Sequence, residues 1–177
     1  MIDIKKELDQ NQVVLAVMDS TKYQKAIEIV PKILSSDGST CYVTTNKTFG
    51  SLSELFKKKK VNIKNIIFID SISKTFRNVS EQEDNVYYVS SPGALTELSL
   101  TINKFLKHEF NYLIFDSITT LMSYENQAVV QKFLMSLAEK IKGTNTKAVF
   151  LMLDLKEHED LIKKGQMIFD KVIRCCE

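Results

Sequence analysis

Seven short apolar runs punctuate the chain: "VVLAV" (13 to 17), "CYVTT" (41 to 45), "NIIFID" (65 to 70), "NVYYVS" (85 to 90), "YLIFD" (112 to 116), "AVFLML" (148 to 153) and "KVIRC" (171 to 175). They are rich in Val, Ile, Phe and Tyr and do not alternate with polar residues, the pattern of strands buried on both faces. Helical patterns lie between most of them. Ala26, Ile27, Val30, Ile33 and Leu34 recur at three-to-four spacing, as do Leu95, Leu98, Ile102, Phe105 and Leu106, and again Val130, Phe133, Leu134, Leu137 and Ile141. Strand and helix in alternation require right-handed crossovers. The expected fold class is therefore α/β: three layers, with a mostly parallel sheet flanked by helices.

Several punctuating residues sharpen this outline. Ser91 before Pro92 reads as an N-cap followed by a proline at the first helical position, and Gly143 as a helix terminator. Pro31 falls inside the first helical pattern, where the missing amide proton should kink the helix or end an initial turn. The polar stretch "SKTFRNVSEQED" (73 to 84) reads as a surface loop. With no internal repeat or low-complexity linker, residues 1–177 are expected to form a single domain.

Composition removes several classes of function. Lys plus Arg (24) nearly balance Asp plus Glu (22) and the charges are interspersed, so nucleic-acid binding is not indicated. The one basic run, Lys57 to Lys60, ends a helical pattern, where cations complement the helix dipole. Three cysteines, two of them adjacent at Cys175 and Cys176, fit a reducing compartment, and the cytoplasm is the expected location. His108 and His158 stand far apart without cysteine neighbours, so no metal site is expected. The opening "MIDIKKELDQ" is charged and no apolar run approaches membrane-spanning length, so no membrane association is expected.

In parallel α/β sheets ligands gather beyond the carboxyl ends of the strands. The residues to inspect are thus Met18 to Lys22, Thr45 to Lys47, Asp70 to Ser73, Asp116 to Thr119 and Asp154 to Lys156. In "FNYLIFDSITTLMSY" (110 to 124) an apolar run ends in Asp116, as in a Walker B strand whose carboxylate holds a nucleotide's magnesium ion. An aspartate at the end of a buried strand also serves simply as a cap for loop amides, and the four rim carboxylates (Asp19, Asp70, Asp116, Asp154) read either as a divalent-ion site or as a hydrated rim.

"YLIFDSITTLMSY" resembles the Walker B segment of RecA-type ATPases of the KaiC-like branch common in archaea. "CYVTTNKTFGSLSELFKK" (41 to 58) is similar to the second strand and helix of that branch and "NIIFIDSIS" to its third strand, so the resemblance spans nearly the whole chain. It implies a RecA-like P-loop NTPase core, and it aligns Lys22 with the P-loop lysine, Thr21 with the glycine before it and Tyr23 with the magnesium-binding Ser/Thr. Two departures follow. The connecting loop is about two residues short and has no glycine, although a phosphate cradle needs backbone conformations and approaches that a Cβ obstructs. Asn46 stands where hydrolytic members carry a glutamate, and an amide can orient a water but not accept its proton.

The implied protein is a pseudo-ATPase: no catalytic residue, a vestigial nucleotide site at Ser20, Thr21, Lys22, Asp116 and Ser117, no required cofactor, and weak ATP/Mg²⁺ binding at most. Lys22 would meet an anion at the helix N-terminus, or Ser20 or Thr21 would cap that helix instead. The resemblance implies protein partners, either further copies in a homo-oligomer or a paralogous RecA/KaiC-like ATPase, for a regulatory or adaptor module. Two alternatives are an ATP-binding protein with weak or no hydrolysis that uses Lys22 and Asp116, and a receiver-like signalling domain with clustered aspartates. Met122, Met135 and Met152 fit either an adaptable surface or, by spacing, the core.

Overall fold

The computed structural model describes residues 3–175; Cys176, half of the adjacent cysteine pair, lies outside them. Among the described residues eight strands form one sheet. The strands are β1 (Val13–Met18), β2 (Thr40–Thr44), β3 (Ile66–Asp70), β4 (Gln82–Glu83), β5 (Val86–Tyr88), β6 (Tyr112–Asp116), β7 (Lys147–Leu153) and β8 (Lys171–Cys175). Their spatial order is β4-β5-β3-β2-β6-β7-β1-β8. Every pairing is parallel except β4 with β5. All seven apolar runs are strands. The eighth, β4, comes from the polar stretch read as a loop, where Gln82 pairs with Tyr87 and Glu83 with Val86.

The helices are α1 (Ile4–Gln10), α2 (Ser20–Asp37), α3 (Phe49–Lys58), α4 (Leu95–Leu106), α5 (Ile118–Tyr124), α6 (Gln127–Lys142) and α7 (Glu159–Gly165). They sort onto the two faces of the sheet because successive strand residues point to opposite sides. Val14, Ala16, Met18, Tyr42, Phe68 and Ile114 pack with buried residues of α1, α2 and α3. Val13, Leu15, Val17, Val43, Phe115 and Phe150 pack with α4, α5, α6 and α7. The absence of alternation in the strand sequences thus has a direct cause, since both faces of each central strand are covered.

Aromatic rings fill the two layers differently. On the α3 side Phe68 meets Phe49 at a centroid distance of 5.0 Å and Tyr42 at 5.8 Å. On the opposite side Phe115 stacks on Phe150 at 5.3 Å, and Phe150 meets Phe169 at 5.2 Å. Buried rings in such offset and edgewise arrangements add to the area they remove from water.

Three local expectations are corrected. Helix α2 runs unbroken through the buried Pro31. Helix α4 begins at Leu95 with Ala94 as its N-cap, because Ser91 and Pro92 instead open a tight turn in which the Ala94 amide donates to the Ser91 carbonyl. The N-cap of α2 is Asp19, not Ser20 or Thr21. The receiver-like alternative is excluded by strand order: a receiver places its second strand beside the first, whereas here β6 and β7 separate β2 from β1.

Gly38 at the end of α2 has no room for a side chain, since a Cβ there would meet the Asn111 side chain at 2.6 to 2.8 Å. Asn111 is occupied in turn by accepting from the Ser39 amide at 2.9 Å. Gly50, in the first turn of α3, has only the Thr48 hydroxyl at 3.9 Å. Chemical denaturation should therefore show Gly38→Ala destabilised by about 1–3 kcal/mol and Gly50→Ala unchanged or stabilised by up to about 1 kcal/mol.

Candidate functional site

By the alternation of β6, Asp116 turns toward the face covered by α2 and α3. The carboxylate has no solvent exposure. Charge so placed is costly unless hydrogen bonds surround it, and two phenols supply them. Tyr42 on β2 donates to Oδ2 at 2.7 Å, and Tyr23, one turn into α2, donates to Oδ1 in a short contact. The Asn46 amide nitrogen donates in turn to the Tyr23 hydroxyl, again in a short contact. One phenol oxygen therefore joins α2, β6 and the β2–α3 corner.

The electrostatics of this cluster follow from its burial. Desolvation pushes the Asp116 pKa above the ordinary carboxylate value, against the opposing pull of the Tyr23 and Tyr42 hydrogen bonds and the charge of Lys47. Burial likewise raises the pKa of Tyr23 and of Tyr42, and the Asp116 charge beside them adds to the shift. Both phenols therefore keep their protons and act as donors.

Ser117 follows Asp116 through a cis peptide bond. Thr45, just after β2, clamps this corner: its amide donates to the Asp116 carbonyl at 2.7 Å, and its hydroxyl accepts from the Ser117 amide at 2.9 Å. Ser117 is buried, with its hydroxyl 3.4 Å from that of Thr120. Asp116 and Ser117 are thus brought together with Tyr23, and their polar atoms face protein partners.

The β1–α2 corner is a single residue. Met18 ends the strand, Ser20 begins the helix, and Asp19 alone lies between. Its carboxylate accepts from the Lys22 amide at 2.8 Å, and its other oxygen lies 3.4 Å from the Lys22 ammonium. These bonds, the amide first, hold the Asp19 pKa below the usual carboxylate range. Ser20 and Thr21 stand exposed on the first turn, while Tyr23, 5 % exposed, points inward. Lys22 and Asp116, adjacent in the sequence-based site, are committed to different partners.

The remaining rim carboxylates are also engaged. Asp70 accepts from the amides of Ile72, Ser73 and Phe49 and from the Ser73 hydroxyl, all within 2.8 Å. Asp154 lies 3.7 Å from Arg174. Among the described residues no three His, Cys, Asp or Glu side chains gather closely enough to hold a metal ion. A polar depression of about 460 Å³, lined in part by Lys107, Glu109 and Lys142, lies at the opposite end of the sheet, where α4 and α6 end. One participant escapes sequence reasoning, Tyr42; Lys47, whose charge lowers the Asp116 pKa, falls among the strand-end residues singled out for inspection. The signal for Tyr42 is a phenol in the middle of a strand with buried faces, since such a hydroxyl needs a partner.

Comparisons with known proteins place the architecture. A model of a family of unknown function, DUF7090, matches residues 9–177. No curated protein matches in sequence. Among solved structures, a KaiC-like protein from Pyrococcus horikoshii superposes with a TM-score of 0.57 at 12% identity over 80% of this chain, which spans 61% of that protein's length. An uncharacterized P. horikoshii protein, solved in complex with an unknown peptide, gives 0.69 at 13% identity over 96% of this chain and 82% of its own. The flagellar accessory protein FlaH from Methanocaldococcus jannaschii gives 0.61 at 14% identity over 98% and 76%. At these identities the likeness shows the fold: an α/β sheet of the RecA-like, KaiC-like kind. No described helix is long and apolar enough to cross a membrane.

The raised pKa of Asp116 has a definite consequence for stability. Relative to the unfolded value of 3.8, the folded state favours the protonated carboxyl, so this contribution is fully present below 3.8 and is lost as pH rises through the folded value. Asp116→Asn removes that titration. Denaturant melts across roughly pH 4 to 7 should show the variant gaining stability relative to wild type as pH rises; a difference that is flat, or of opposite slope, contradicts the burial cost assigned to this carboxylate.

Proposed function

The chain belongs to DUF7090, a family of unknown function, and we propose that within it this protein is a non-catalytic module of RecA/KaiC-like fold that acts through protein contacts as a regulator or adaptor. The observation that carries this reading is the Tyr23 phenol seated on Asp116. By the resemblance, residue 23 should offer a small hydroxyl to magnesium and Asp116 should complete the ion's shell. Magnesium demands near-octahedral oxygen ligands at about 2.0–2.1 Å and keeps several waters. Here each carboxylate oxygen already accepts a phenol, and the group is sealed from solvent. The residues present do not fit a magnesium triphosphate.

The β1–α2 corner supports the same reading. A triphosphate cradle needs successive amides turned toward the ligand, which takes several residues of loop. One residue cannot supply them, and that residue is an aspartate whose charge would oppose phosphate and which already occupies the Lys22 amide. Asn46 supplies no base and is itself bound to the phenol. The alternative of ATP binding through Lys22 and Asp116 would require both side chains to leave their present partners, and no feature of the site favours it.

For the positive half of the proposal, the support is that one fold neighbour was solved with an unknown peptide. The partner we propose is a protein, either a second copy of this chain or a paralogous RecA/KaiC-like ATPase.

Thermal melts in ATP or ADP with Mg²⁺ test the proposal. A ligand at a hundred times its Kd would raise Tm by roughly 5–10 °C for a domain of this size. The expected result is no saturable rise at millimolar nucleotide, and a large one would overturn the reading.

A further inference from the structure

The hydroxyl of Tyr23 does more than exclude a metal. We infer that Tyr23 is a positioning residue: its phenol ties the β1–α2 corner to the β2–α3 corner and so holds residues 45–49 in one conformation without any nucleotide. The inference rests on the non-catalytic reading above and deepens it by naming how that site is regulated, namely that it is permanently set.

The geometry of residues 45–49 shows why a single oxygen can matter. Strands β1 and β2 are not neighbours, since β7 and β6 lie between them, and no backbone ladder links their two corners. The flanks of the segment have their own anchors. Thr45 is bound to the Asp116 carbonyl, the Lys47 carbonyl accepts from the Thr44 hydroxyl at 2.6 Å, and the Phe49 amide donates to Asp70 at 2.7 Å. Thr48 caps α3 by accepting from the Ser51 amide. Asn46 lies exposed between these anchors, and its side chain is tied to the Tyr23 hydroxyl on α2. One phenol spans the gap between the two corners, donating to Asp116 while accepting from Asn46. Asn46, Lys47 and Thr48 are therefore held in one conformation by side chains of the protein itself.

Hydrogen exchange of the full chain tests the tie. Tyr23→Phe keeps the ring and removes the hydroxyl, and Asn46→Ala removes the donor while leaving the phenol on Asp116. Each should speed exchange of the amides of residues 46–48 by roughly three- to tenfold, the population change expected from losing one ordinary hydrogen bond, with the β6 amides unaffected in Asn46→Ala. The double variant should be no looser than the looser single, because both changes cut one tie. Asn46→Ala reads the tie from its other end should Tyr23→Phe fold poorly. Unchanged exchange at residues 46–48 in Asn46→Ala, or strictly additive effects in the double variant, would overturn the inference. MgATP added to wild type separates the two claims: protection of residues 19–23 would overturn the non-catalytic reading, while the coupling between Tyr23 and Asn46 would stand or fall on the variants alone.

Discussion

A carboxylate without solvent access at the end of a central strand constrains everything packed around it. Desolvating an ionised carboxylate without partners costs at least several kcal/mol, so Asp116 requires donors that come from inside the protein. Both are phenols, and each arrives from a different element: Tyr42 diagonally across the β2–β6 pair, Tyr23 from the helix lying over that face. The requirement fixes the rotation of α2, because its first turn must carry Tyr23 inward while Ser20 and Thr21 face water. It also accounts for the tight corner before α2, where Asp19 stops the strand, caps the helix and brings position 23 within reach of Asp116.

The large features of the fold were legible because burial on both faces leaves a plain trace. Runs such as "YLIFD" and "VVLAV" carry no alternation, and both form interior strands covered by helices on each face. The misjudged elements are those whose cause lies elsewhere in the chain. Strand β4 has two exposed polar residues and exists only because β5 offers it an antiparallel edge. Pro92 was read as a helix start, but it lies ahead of α4 in the turn closed by Ser91 and Ala94. Pro31 breaks the local rule for helix interiors, yet it is buried in the core within an unbroken α2; tertiary packing overrode propensity there.

The site was half legible. The absence of glycine after β1, the bulk of Tyr23 and the neutral Asn46 were all visible as departures from a resemblance. What the sequence could not supply was that these departures touch one another. Tyr23 and Asp116 are 93 residues apart, and only the crossing of α2 over β6 makes them partners. The same limit applies to Tyr42, which the sequence shows only as part of a buried strand although it sits two residues before Thr44, the register partner of Asp116. The rim carboxylates show a further limit, because their partners are backbone amides that the sequence does not locate. Asp70 was read as part of either an ion site or a hydrated rim, and it is neither: the amides of Phe49, Ile72 and Ser73 occupy it.

The contact between Tyr23 and Asn46 also explains why the two unusual residues suit each other. The phenol spends its proton on Asp116, so the oxygen can only accept from a third group. An amide nitrogen donates and is neutral; a glutamate at position 46 would bring an ionised acceptor against an acceptor lone pair, beside a carboxylate that is already buried. A small hydroxyl at position 23 would leave Asn46 and Oδ1 without this bridge, and a glycine-rich loop before α2 would lose the cap that seats Tyr23. The corner, the phenol and the amide thus form one unit, since each residue meets the hydrogen-bonding need created by the next. Around Asp116 every buried donor and acceptor described has found its complement, so a change at any one of these residues would leave a buried polar group of another unsatisfied.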